Sequence, residues 1–284
     1  MALRYAERAA PAAIAAAIEC VWSVSDPVAR RDRPPDRILP DGCPELIVHL
    51  GPRFARRVDG RAVRQPAAFL AGTLSRPWIV QAPARVATIG VRFRPGGFTA
   101  LFGGSLGGAA DREVPLSDLP PAVRELVAAV RQATATPAAR MRAAEAWLLA
   151  WAAALPGGLR LPLSLPAVRL VQRTRGRIGI DALAAAVALP RRRLERLFRR
   201  DTALSPKQYV RIVRLNVLLR RLEGPERTRL VDLAIDAGYF DQAHLAREFR
   251  ALAARRASAA RADDGELSMQ FTRPDRLARL LLDT

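Results

Sequence analysis

The side chains best equipped for recognition lie in two short stretches 51 residues apart, Pro190-Arg191-Arg192-Arg193-Leu194-Glu195-Arg196 and Asp241-Gln242-Ala243-His244-Leu245-Ala246-Arg247. Arg carries paired donors that match O6 and N7 of guanine, Gln matches N6 and N7 of adenine, and Glu accepts from N4 of cytosine. Each good pair supplies about 1 to 3 kcal/mol of discrimination between bases. The single acid, Glu195, weakens indiscriminate attraction to a polyanion, so its place on such a face makes sense where it accepts from cytosine or excludes wrong bases.

Side chains of this kind need a rigid mount, and the spacing around them supplies one. Leu183, Ala184, Ala188 and Leu189 recur 50 positions later as Leu233, Ala234, Gly238 and Tyr239, and Leu194, Arg196 and Phe198 recur 51 positions later as Leu245, Arg247 and Phe249. A small residue at Ala184 or Ala234 lets a second helix cross closely. The residue four later opens a tight turn, where glycine tolerates positive φ, so Gly238 fits and Ala188 departs. After the turn, Leu194/Phe198 and Leu245/Phe249 lie one helical turn apart and pin one face inward, leaving the opposite face free. Pro190 suits a helix start and Asp241 a helix cap. Between the units, Ser205-Pro206 begins a helix whose apolar stripe (Tyr209, Ile212, Val213, Leu215, Leu218, Leu219, Leu222) runs to Gly224-Pro225. One long helix therefore joins two readers, an arrangement suited to neighbouring major grooves about 34 Å apart.

Charge agrees with a polyphosphate partner. The formal net charge is +19, and residues 166–262 hold 22 cations against 9 anions, or +13 of that excess. Arginine in place of lysine is explained by the base composition of a GC-rich genome; the surplus over acids is not. Enzymatic readings are disfavoured, because the only histidines are His49 and His244 and no HExxH, Walker A, GxSxG or paired-Cys motif is present. No cofactor or metal is expected. Cys20 and Cys43, the only cysteines, fit core positions in a reducing compartment. The longest apolar run, Ala146–Leu155, is far short of the roughly 20 residues that span a bilayer, and a cytoplasmic location without membrane association is expected.

The amino-terminal half has another texture. Residues 8–22 are Ala- and Ile-rich with helical spacing. From Arg37 to Phe93, β-type runs at 45–50, 78–81 and 86–93 alternate with Pro and Gly, as in a small antiparallel sheet or barrel. Pro95-Gly96-Gly97 turns the chain into a short apolar segment, Phe98–Phe102. Residues 118–155 read as two helices, with Val123, Leu126, Val127 and Val130 on one stripe and Met141, Trp147, Leu148 and Trp151 on the other. The Pro/Gly-rich stretch 156–166 is the best linker. The expected fold class is α+β: a sensor or dimerisation domain over 1–158, an all-α domain over 159–262 with two helix-turn-helix motifs joined by a long helix, and an unassigned tail over 263–284.

Leu194-x-Arg196-x-Phe198, Leu204-Ser205-Pro206-x-x-Tyr209 and Gly238-Tyr239-Phe240-x-Gln242-x-His244-Leu245-x-Arg247-x-Phe249 carry a resemblance. From about Val168 to Phe249 the chain resembles the AraC-type helix-turn-helix domain of bacterial transcription activators. The resemblance implies an all-α module that regulates transcription by binding double-stranded DNA at promoters. It places base-facing positions at Arg192, Glu195 and Arg196 and at Gln242, Ala243, Ala246 and Arg247. Arg191, Arg193, Arg199, Arg200 and His244 are left for phosphate contacts or a solvated face. The second unit departs from the pattern at its end, where Ala254, Ala257 and Ala260 replace the features seen at Ala203-x-Ser205-Pro206-x-x-Tyr209. Through Leu39-Pro40-Asp41-Gly42-Cys43-x-Glu45-Leu46 and Val91-x-Phe93-x-Pro95-Gly96-Gly97, the amino-terminal half resembles the cupin-like sensor domain that precedes this module in one group of such regulators. Glu45, His49 and Arg92 are read there as structural residues, with ligand contacts as the alternative. The resemblance leaves RNA polymerase, a small-molecule effector and a second subunit as further partners. The competing readings are a sequence-nonspecific architectural DNA-binding protein and an enzyme with a catalytic amino-terminal domain.

Overall fold

In the computed structural model of the chain, residues 3–26, 28–30, 33–222 and 238–253 are described. Leu233 and Ala234, the end of the second repeat at Ala254, Ala257 and Ala260, and the tail over 263–284 lie outside them.

Among the described residues, ten strands make two antiparallel sheets. The larger has the order β1 (Arg4–Ala9), β2 (Ile18–Asp26), β9 (Val86–Phe93), β4 (Glu45–His49), β7 (Ala68–Ala71) and β10 (Glu113–Pro115). The smaller has the order β3 (Asp36–Ile38), β8 (Trp78–Gln81), β5 (Ala55–Val58) and β6 (Arg61–Arg64). The central strands of the larger sheet are covered on both faces, and their side chains sort by parity. Leu46, Val48, Ile89, Val91 and Phe93 face a core shared with helices. Glu45, Ile47, His49, Thr88 and Arg92 face the smaller sheet and line a cavity between the two. Double coverage also accounts for the near-continuous burial of β2 and β9.

The covering helices are α1 (Gly97–Phe102), α2 (Pro121–Gln132) and α3 (Pro137–Ala154). Val123, Leu126, Val127 and Val130 of α2 and Met141 and Leu148 of α3 are buried in the shared core, as their stripes require. Residues 8–22 correct the expectation of a helix. The structure has the end of β1, a turn region and the start of β2, with only single helical turns between, such as Ile18 N–H donating to Ile14 C=O at 2.9 Å. The helical period there is a by-product of alanine richness, and the doubly buried β2 shows no alternation to oppose it.

After the Pro/Gly stretch, the carboxy-terminal part is helical: α4 (Leu165–Arg173), α5 (Ile180–Ala186), α6 (Arg191–Thr202), α7 (Pro206–Leu222) and α8 (Gln242–Ala253). Its core collects Leu183, Leu194, Phe198, Tyr209, Ile212, Leu215, Leu218, Leu245 and Phe249. Truncating Phe198 or Phe249 to Ala should cost about 3–5 kcal/mol. The loop residues Leu39 and Cys43 belong to this same core, so the two halves pack directly on one another. Among the described residues, no helix is long and apolar enough to cross a membrane.

Candidate nucleic-acid interface and barrel cavity

Helix α6 is aimed by its buried side. Leu194 and Phe198 are wholly buried, and α5 holds the helix from behind through Leu183 and Ala184. The turn between α5 and α6 puts Ala188 at φ 51, the left-handed conformation that Gly238 adopts at φ 83 in the second unit. On the outward side, Arg192, Arg193 and Arg196 are exposed and have no ion pair among the described residues. Glu195 is half-buried and is engaged by its own helix, 3.3 Å from Arg191 and 4.0 Å from Arg199. Arg191 also reaches Asp181 at 2.9 Å. Hydrogen bonds to Glu195 and Asp181 raise the Arg191 pKa above its ordinary value.

Helix α8 is mounted in the same way, with Leu245 and Phe249 wholly buried and Gln242, Ala243 and Arg247 exposed. Ala246 is half-buried. Asp241 caps the helix, its Oδ1 accepting from His244 N–H at 2.6 Å. His244 answers by accepting from Phe240 N–H through Nδ1 at 3.3 Å, and its ring lies against Tyr239 and Phe240. That engagement gives His244 a place in shaping the turn as well as on the surface. Phe240, by contrast, is 90% exposed at the tip of the unit. Between the readers, α7 starts from a reciprocal cap in which Ser205 Oγ accepts from Gln208 N–H at 3.3 Å and Gln208 Oε1 accepts from Ser205 N–H at 2.9 Å. Arg211 of α7 pairs with Glu248 of α8 at 2.7 Å, tying the connecting helix to the second reader.

Arg200 stands apart from the other arginines of α6. Its guanidinium lies 2.7 Å from the buried Asp201, which also accepts from Ser164 Oγ at 2.6 Å. Its carbonyl accepts from Leu106 N–H of the amino-terminal half at 2.7 Å. The structure therefore places Arg200 at the domain junction.

The cavity between the sheets holds the other concentration of polar groups. At one end Arg92, with its side chain 1% exposed, is bound by three carboxylates: Glu19 at 3.0 Å, Glu45 at 2.6 Å, and Asp41. Burial opposes the charge on Arg92, but the surrounding acids more than offset it and its pKa is raised. At the other end, His49 Nδ1 pairs with Thr88 Oγ1 at 3.1 Å and Nε2 with Gln65 at 3.3 Å, while the ring stacks on Phe54. Burial lowers the His49 pKa to about 4, so the imidazole is neutral near pH 7. Trp22, Leu74, Trp78 and Val80 make the walls of a space of about 80 Å³. Gly90 makes room for Trp22, since a Cβ there would stand 2.1 Å from the indole. The expected structural roles of Glu45, His49 and Arg92 are seen in these bonds, and all three line the cavity as well. Asp41, Gln65 and Thr88 were not singled out in the sequence. Thr88 carried a signal as a polar residue at the parity of Arg92 within the apolar strand β9, whereas Asp41 and Gln65 lie in loops before β4 and after β6, where strand parity gives none. Among the described residues, no three His, Cys, Asp or Glu side chains are grouped to hold a metal ion.

Two family models match the chain, one in each half. Residues 183–263 match a family model described as a helix-turn-helix domain, and residues 6–115 match a domain of unknown function, DUF6597. No curated protein matches the sequence. Among solved structures, ToxT from Vibrio cholerae is similar at 7% identity and a TM-score of 0.45, covering 91% of this chain and 97% of that one. An unsaturated fatty acid-bound form of wild-type ToxT aligns at 8% identity and 0.42, covering 93% and 95%. The AraC-like transcriptional activator CuxR aligns at 17% identity and 0.24, covering 70% and 73%. With the motifs at Leu194–Tyr209 and Gly238–Phe249 set on two inward-pinned helices, residues 183–263 are an AraC-type helix-turn-helix domain, the DNA-binding module of a transcriptional regulator.

Proposed function

We propose that the chain is a sequence-specific regulator that sets α6 and α8 into successive major grooves of a promoter, and that its amino-terminal barrel adjusts this engagement in response to a small molecule. The observation that carries the reading is the shared mounting of the two helices. Each is pinned by a fully buried pair four residues apart, each offers donors on the opposite face that are unpaired among the described residues, and both rest on α7. In this reading Arg192, Arg196, Gln242 and Arg247 contact base edges, and Ala243 and Ala246 meet thymine methyls or read shape. Glu195, tied to Arg191 and Arg199, orients those arginines in addition to accepting from cytosine. Arg191, Arg193 and Arg199 contact phosphates, His244 shapes the turn of α8, and Arg200 serves the junction.

Binding to an operator selected from random sequence tests this. Arg196→Ala and Arg247→Ala should each cost about 1–3 kcal/mol on the preferred sequence and relax preference at the positions they read. Arg193→Ala should weaken all sequences alike and reduce the dependence of affinity on salt by about one phosphate contact. Equal affinity of the parent protein for operator and random duplex at fixed salt would instead favour a coating, architectural role.

A further inference from the structure

The second recognition helix is preceded by a residue that the first one lacks. Pro190 and Asp241, which open α6 and α8, stand 51 positions apart, whereas Leu189 and Tyr239, the residues before them in the repeat, stand 50 apart. Phe240 is the insertion. The packing roles around it are already filled: Leu189 packs against the helical core in the first unit, and Tyr239, 4% exposed, belongs to that core in the second. An apolar residue just before a helix cap often folds back onto the fourth helical residue. In α8 that residue is Leu245, which is wholly buried while Phe240 is 90% exposed, so the ring does not serve as this staple. Its backbone is nonetheless held. The Phe240 N–H donates to His244 Nδ1 at 3.3 Å, and the ring tilts against the His244 imidazole at 5.8 Å.

We infer that Phe240 reads the 5-methyl group of a thymine in the major groove entered by α8, an assignment that rests on the reading of α8 as a base-contacting helix. Recognition helices meet base edges with their amino-terminal residues. Phe240 stands one residue before the cap, next in the chain to the exposed Gln242 and Ala243. The chemistry matches. A phenyl ring has no hydrogen bond to offer a base edge, and the thymine methyl is the apolar group that the major groove presents. Gln242 points to the same kind of base pair, since its amide suits adenine and the partner of adenine carries that methyl into the same groove. Insertion between base steps, the other use of an exposed ring, is characteristic of minor-groove binders. The remaining exposed large hydrophobic residues among those described, Val28, Val63, Leu161 and Leu163, belong to the barrel or to the stretch before α4. Large exposed apolar surface in the two helix-turn-helix units is thus confined, among the described residues, to this one ring.

The test uses the full-length protein and an operator selected from random sequence, with each thymine replaced in turn by deoxyuridine, which removes the methyl and leaves every hydrogen-bonding group. At one thymine the parent protein should lose about fourfold in affinity, the worth of one buried methyl. Phe240→Ala should bind the unmodified operator at least that much more weakly and be indifferent to uracil at that position alone, keeping the parent's response to every other thymine. Because the ring is exposed, Phe240→Ala should melt at the temperature of the parent, which separates lost reading from lost fold. A uracil penalty that persists in Phe240→Ala would hand the methyl to Ala243 or Ala246 and overturn the inference. So would an equal loss by Phe240→Ala on every sequence, which marks contact with the sugar–phosphate backbone, or unchanged DNA binding with lost reporter activation, which marks a protein partner. A chain that selects no operator loses the two-helix reading as a whole, whereas one that selects an operator indifferent to thymine methyls loses only the role of Phe240.

Discussion

At the scale of single residues, His49 shows how the barrel couples its polar lining to pH. The ring is buried between Thr88, Gln65 and Phe54, and its pKa falls from 6.5 to about 4. In the unfolded chain the same imidazole protonates near pH 6.5, so between pH 6.5 and 4 only the unfolded state takes up the proton. Stability from this group is intact above pH 6.5 and falls as the pH drops through that window, by about 1.4 kcal/mol per unit at most. Denaturant melts at pH 7.0, 6.0 and 5.5 should show the loss in the parent protein, and a His49→Gln variant should lack that part of the slope. Equal slopes would mean that His49 is protonated in the folded barrel. Arg92 makes the complementary point. Removing its charge in Arg92→Met takes the guanidinium away from three carboxylates, two of them largely and one wholly buried, and should cost about 3–5 kcal/mol in the same melts.

At the scale of elements, the two helix-turn-helix units differ most usefully at their turns. Ala188 and Gly238 both adopt positive φ, at 51 and 83. A Cβ in the left-handed region costs roughly 1–2 kcal/mol, part of which returns as lower unfolded-state entropy. Ala188→Gly should therefore stabilise the domain by about 0.5–1 kcal/mol. Gly238→Ala should destabilise it by about 1 kcal/mol or more, because the new Cβ would also stand 2.7 Å from Arg177. Thermal unfolding reads both, and a loss from Ala188→Gly would show that the alanine methyl packs more than it strains. The sequence announced these units well because each required residue type serves a local geometric need: small at the crossing, left-handed at the turn, apolar four apart. Strands β4, β8 and β9 were equally legible through β-branched runs bounded by Pro and Gly. Residues 8–22 were not, since alanine satisfies a helical period without requiring one and a strand buried on both faces loses its alternation. The cavity was half legible. Glu45, His49 and Arg92 stood out, but that they share a face with Asp41, Gln65 and Thr88 depends on pairing between strands far apart in the chain.

At the scale of the whole molecule, the loop that closes the acidic end of the cavity is also the surface on which the DNA-binding domain rests. Asp41 binds Arg92 on one side and on the other accepts from Cys43 N–H at 2.8 Å, forming a turn that presents Leu39 and Cys43 to the core around Tyr209. Gly42, at φ 89, lies so near that a Cβ would stand 2.7 Å from the Tyr209 ring. Tyr209 is fixed from its far side by Gln172, which donates to its hydroxyl at 3.0 Å, and it contacts Phe198 of α6. In the proposed regulation, a displacement of this loop would reach the helix that carries Arg192 and Arg196 through one aromatic ring. Gly42→Ala tests the junction, provided that backbone strain is separated from the lost fit. Gly60, at φ 78 with nothing within 4 Å of its would-be Cβ, supplies the control. Gly60→Ala should cost about 1–2 kcal/mol of barrel stability and nothing else. Gly42→Ala should pay the same strain and also part the domains, giving two calorimetric transitions in place of one and an altered reporter response, while the isolated affinity for operator DNA changes less than threefold, or by about 0.6 kcal/mol at most. If the two variants melt and regulate alike, the loop is packing alone, and the barrel must reach α6 by another route, the Leu106 to Arg200 hydrogen bond being the next contact to cut.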